Sequence, residues 1–215
     1  MAKKVTGEMY YDLDGQLAEI KRQLRQREGY PYDLEDLRDH LQEAIEGKFN
    51  SVRQWRERDG VIYFSVTSDG TTGEGWISRL ENKGFQVSDW AKSILRSPDF
   101  KPTSVTTEIV VFKGRLFSDS NRTTKNIRAE AERRNLAKPN AETACLIREK
   151  FSDKEIESME LWWIVTMHDP IKDSDGDSYL LRVGRYDRWL RVCDGSPVYG
   201  WDHDYGFAFV VPQVS

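Results

Sequence analysis

Two short stretches concentrate side chains that could do chemistry. His168 and Asp169 close an apolar run from Glu160 to Pro170 (ELWWIVTMHDP), and Asp202, His203 and Asp204 follow in WDHDYG. Imidazole nitrogens with carboxylate oxygens suit Zn²⁺, Mn²⁺ or Fe²⁺, and a bound divalent metal would acidify a water for hydrolysis. His168, Asp169, Asp202 and His203 are therefore a candidate metal set, and a metal-dependent hydrolase is the activity it would serve. Between the two stretches, Asp173, Asp175 and Asp177 alternate in KDSDGDS. That run offers oxygens to Ca²⁺, but Gly176 is misplaced for an EF-hand and no twelfth-position Glu follows. Turn chemistry accounts for the same residues, since Asp and Gly are what loops use.

The second constellation is aromatic. Tyr186, Trp189, Tyr199, Trp201, Tyr205, Phe207 and Phe209 crowd the last part of the chain, cut by turns at Gly184, Asp194 to Pro197 and Asp202 to Gly206. Period-2 alternation puts Phe207, Phe209 and Val211 on one face of a strand. The other face, with Trp or Tyr beside Arg185, Asp187, Arg188 and Asp202, has the flat rings and polar tips of a groove for a sugar, a base or a peptide. Tyr186, Trp189, Tyr199, Trp201 and Arg185 are the candidate ligand-binding residues. The leading expectation is a ligand- or protein-binding module, with core filling as the alternative use of the rings.

Three further patterns carry less. The loop SDGTTGEGW follows the strand-like VIYFSVT and precedes a helix, an order that can cradle anions on backbone N–H groups. Its glycines, Gly70, Gly73 and Gly75, match neither a P-loop nor GxGxxG, and Thr71 with Glu74 reads as a capping box. Residues 121 to 150 hold eight basic side chains against four acidic ones, on two helices joined near Lys138 and Pro139. No recognition helix stands out, so a solvated helix face is expected there and nucleic-acid binding is not. Cys145 and Cys193 lack any local signature of a thiol enzyme and read as buried thiols of a reducing compartment.

The elements that must position these residues follow from periodicity. Leu13, Leu17, Ile20 and Leu24 form one helical stripe, and Leu34, Leu37, Leu41 and Ile45 a second, with a break at Gly29 to Tyr32, an N-cap at Asp33 and a stop at Gly47. The spacing predicts a helical hairpin over 1–48 whose stripes face each other, with any surplus facing the main domain or another copy of the chain. Residues 49–215 read as one α+β domain: a mixed sheet with helices, closed by an antiparallel C-terminal meander. Strands are expected at 61–67 and 104–117, and Ser88 and Ser152 cap short helices. Ile164, Val165 and Thr166, flanked by Trp162 and Trp163 and stopped by Pro170, make the run before His168 a strand buried on both faces, central to the sheet.

The bulk composition sets limits. A chain of 215 residues with 38% hydrophobic residues can bury a core, and a net charge of −4 gives no broad attraction to nucleic acid or membranes. The opening MAKKVTGEMYYDLDG has no apolar core of a signal sequence, so a soluble, cytoplasmic protein is expected. The runs IRAEAERRNLAKPNAETACLIREKFSDKEIESMELWWIVTMHDPI and GFAFVVPQ resemble a family of uncharacterised bacterial proteins, over most of residues 10 to 213. That resemblance implies a bacterial source and assigns no activity, cofactor or site residue.

Overall fold

The apolar run before His168 does form a strand inside a large sheet. We describe the protein from a computed structural model covering residues 7–25, 34–45, 54–172 and 176–212. The chain divides into two units, Met1–Arg53 and Gln54–Ser215. In the second, β1 (Arg56–Arg58), β2 (Val61–Thr67), β3 (Gln86–Val87), β4 (Thr106–Lys113), β5 (Trp163–Thr166), β7 (Ser178–Gly184), β8 (Trp189–Asp194) and β9 (Tyr205–Val210) lie in the order β1-β2-β4-β9-β5-β7-β8-β3. β6 (Ile171–Lys172) pairs with β7 off this path, completing a nine-stranded mixed sheet. β5 and β9 run parallel, as do β3 and β8, and the other pairs are antiparallel.

The expected C-terminal meander holds only as far as β8. β9 leaves it and enters the sheet between β4 and β5. Its composition explains the move: Phe207 and Phe209 are apolar on one face, while Gly206 and Ala208 are buried on the other, so only an interior position covers both. At Gly206 a Cβ would meet Val111 and Leu161 side chains at 2.7 Å, so the strand fits there because that position is bare.

Helices cover one face of the sheet. α3 (Gly73–Asn82), α4 (Asp89–Arg96) and α6 (Glu142–Lys150) press Trp76, Leu80, Ile94, Leu95, Cys145 and Ile147 onto Ile62, Val111, Ile164, Leu181 and Leu190. Ser88 caps α4, and Ser152 with Glu155 forms the capping box of α7 (Asp153–Ser158), as the sequence predicts. For α3 the cap is Thr72 rather than Thr71, because the Thr71 hydroxyl is taken by Asp69 and Arg79. On the opposite face α5 (Thr124–Arg133) brings Ile127 and Ala131 onto Val61, Phe112, Phe207 and Phe209.

In the first unit, α1 (Gly7–Leu24) and α2 (Leu34–Ile45) match the two predicted helices. Their stripes are not closed on each other. Leu13, Leu17, Leu24, Leu34, Leu41 and Ile45 are all exposed. The turn expected at Gly29 to Asp33 and the stop at Gly47 lie outside the described residues.

Candidate functional site

The candidate metal set is not brought together. β5 and β9 are parallel, with Trp163 beside Tyr205. His168 therefore lies beyond the end of β5, while Asp202 and His203 precede the start of β9, roughly 20 Å away at strand rise. The His168 ring is buried and both nitrogens are used. Nε2 accepts the Leu181 N–H at 3.0 Å, which leaves Nδ1–H to donate to the Asp169 carbonyl at 2.7 Å. Burial holds its pKa down, at about 4, so the ring is neutral. Asp169 pairs with Lys138, while Asp202 and His203 are exposed. Among the described residues no group of three or more His, Cys, Asp or Glu side chains could hold a metal ion, and Asp173 and Asp175 lie outside them.

What His168 does is structural. The β5–β7 ladder ends at Val165 opposite Arg182. Beyond it, the Thr166 hydroxyl donates to the Leu181 carbonyl and His168 accepts from the Leu181 N–H. The last side chain of β5 and that of His168 just beyond it thus replace the missing peptide partners and fix β7 at the residue before Arg182. At the other end of β7, the buried Arg148 guanidinium donates to the Gly184 carbonyl at 2.6 Å and to the Phe151 carbonyl at 2.5 Å, and lies 3.0 Å from Asp153. Burial lowers its pKa to about 10, still far above neutrality, so the charge persists.

The aromatic candidates divide. Trp201 is core, 5% exposed, its Nε1–H donating to Thr124 and its ring packed on Phe207. It was expected on a binding face; a long loop instead folds it under α5, bridged by Thr123 and Gly200. Tyr199 remains partly exposed, edge-on to Trp201 at 4.6 Å. Tyr186 and Arg185 sit on the β7–β8 loop with Trp162: the Arg185 guanidinium lies 4.2 Å from the Trp162 ring centre and 5.1 Å from that of Tyr186. Trp189 starts β8, with Arg191 stacked at 4.4 Å.

Register shows what the sequence could not. One line of direct cross-strand partners crosses the sheet: Val61, Phe112, Phe207, Val165, Arg182, Arg191. It begins under α5 and ends on two partly exposed arginines facing each other across β7 and β8. Like charges in that relation repel, with Cβ atoms about 5 Å apart. Each is laid on a tryptophan instead of a carboxylate: Arg182 is 4.1 Å from the Trp163 ring and Arg191 packs on Trp189. Trp163 lies across Gly184, where a Cβ would meet its ring at 2.6 Å. Among the described residues neither arginine has an ion pair, Arg182 reaches only the Tyr205 hydroxyl at 3.4 Å, and its buried Nε has no partner. Trp162 and Trp163 mark a strand in the sequence but not a site, and Arg182 and Arg191 do not stand out there; the period-2 placement of Trp189, Arg191 and Cys193 on β8 is the available signal.

The remaining patterns are internal or solvated. Arg122 is buried and donates to the Gly114, Phe117 and Trp201 carbonyls, so the basic segment is not simply a solvated face. The glycine-rich loop is held by Asp69, which accepts from Thr71, and by Ser68, which donates to the buried Glu142. Both thiols are buried, and burial pushes Cys193 to about 12 and Cys145 well above its ordinary value, opposite to what a nucleophile needs. No helix is long and apolar enough to cross a membrane among the described residues. No family model matches the chain, and no curated protein or solved structure is similar to it, so the bacterial resemblance rests on the quoted runs alone.

Proposed function

We propose that the protein is a binding module whose β7–β8 face takes a ligand through an anionic group, a carboxylate or a phosphate. The observation that carries this is the Arg182–Arg191 cross-strand pair, without a carboxylate partner among the described residues and stacked on Trp163 and Trp189. Each guanidinium is held against a ring, and apart from the buried Arg182 Nε its N–H groups are suited to a carboxylate or phosphate. Tyr205 lies beside them, its hydroxyl 3.4 Å from Arg182, and gives the ligand's apolar part a ring to rest on. Trp189, one of the expected binding rings, acts here with the Arg191 stacked on it, and Trp163 acts with Arg182.

Calorimetric titration of the whole chain with inorganic pyrophosphate and, separately, a glutamate-rich peptide tests this. Saturable binding of one probe, lost in both Arg182→Gln and Arg191→Gln while each variant melts no lower than the parent, is the expected result and tells phosphate from carboxylate. No saturable binding of either probe, or binding unchanged in both variants, overturns it.

A further inference from the structure

α1 carries a second recognition surface. Leu13, Leu17, Ile20 and Leu24 recur at the a and d spacing of a heptad, and Leu13, Leu17 and Leu24 are 53%, 42% and 42% exposed. α2 does not cover this seam, since its own Leu34 and Ile45 are 57% and 79% exposed. In proteins most of a helix's stability comes from packing its apolar stripe. Something must cover the seam, and the flanking charges say what.

In that heptad the e positions are Asp14 and Lys21, and the g positions are Gln16 and Gln23. Two parallel copies pair each g with the e five residues on, so Lys21 meets Gln16 and Asp14 meets Met9, and neither charge finds an opposite one. Two antiparallel copies pair e with e, so Asp14 of each helix meets Lys21 of the other. Neither Asp14 nor Lys21 has an ion pair within its own chain among the described residues, whereas Arg22 is held by Glu19 at 2.6 Å. The wider charge distribution agrees: Asp12 and Asp14 lie in the first half of α1, whereas the second half carries Lys21 beside the neutralised Glu19–Arg22 pair.

We infer that α1 docks antiparallel on α1 of a second copy, making the protein a homodimer through its N-terminal helices. This surface is independent of the arginine–tryptophan face, and either can stand without the other.

Sedimentation velocity on the full chain over a concentration series reads the mass directly. A dimer is expected, converted to monomer by Leu17→Glu with the sheet domain's melting unchanged. Asp14→Lys alone, which sets two like charges against each other on each side, weakens the dimer roughly five-fold, and Asp14→Lys with Lys21→Glu restores it. A second measurement removes any doubt about helix loss in these variants. Asp14→Cys with Lys21→Cys in one chain gives an oxidised, covalent dimer, and each single cysteine does not. A parent chain that stays monomeric at every concentration overturns the inference, and so does a dimer indifferent to both charge changes.

Discussion

The two faces of the sheet start from the same alternating sequence and end differently. On the helix-covered face, Ile164, Val183 and Leu190 are direct neighbours across three strands and are fully buried under α3, α4 and α6. On the other, Val165 is followed at the same spacing by Arg182 and Arg191. The change comes where α5 stops. A residue pattern that elsewhere reads core here reads stacked cation, and the physical difference is cover. A strand position without a helix above it must satisfy water on one side, and arginine laid on tryptophan does so while keeping its charge available.

The most severe test of this comparison lies on the covered face. At Gly73 a Cβ would fall 1.7 Å from the Leu95 carbonyl oxygen, so Gly73→Ala forces α3 from α4 and should cost about 3 kcal/mol, seen as a lowered denaturation midpoint. Acid should act comparably through His168. Its folded pKa, about 4, lies below the ordinary 6.5, so the unfolded chain takes up the proton first. Its contribution is complete above pH 6.5 and is lost as pH falls toward 4, about 3 kcal/mol in all. Denaturant midpoints measured across that window should show the decline, and His168→Gln should flatten it.

Smaller effects separate the open face. Gly184→Ala displaces the Trp163 ring and should cost roughly 2 kcal/mol, seen as a lowered denaturation midpoint. Arg191→Thr should have the opposite sign, a gain of about 0.5 kcal/mol, because it removes like-charge repulsion opposite Arg182. A loss instead would mean that the stack on Trp189 matters more to the fold than the repulsion, and the two faces would then differ in appearance only.

Much of the architecture was legible from periodicity, because burial of a strand or helix face is a local property of sequence. The stripe of α4, the cap at Ser152 and the buried run at β5 are of that kind. The candidate site was legible in composition but not in membership. Trp189 and Arg185 were found, yet Trp201 belongs to the core, and Arg182, Arg191 and Trp163 were missed. Which side chains meet depends on register between strands distant in sequence, and no local pattern specifies that. The same reason separates His168 from His203. A meander would have joined them, whereas the parallel β5–β9 pairing sets them at opposite ends.

That pairing also has a consequence for how the chain acquires its structure. β9 is made after every other strand described, yet it fills the gap between β4 and β5. Until residues 205–210 leave the ribosome, those two strands present open backbone edges beside Val110, Phe112 and Val165, the surface on which nascent chains aggregate. Local helices and the β7–β8 hairpin can form earlier, while closure of the sheet waits on contacts of long sequence separation and is therefore slow. The protein's dependence on chaperones during synthesis should thus be set by this one strand.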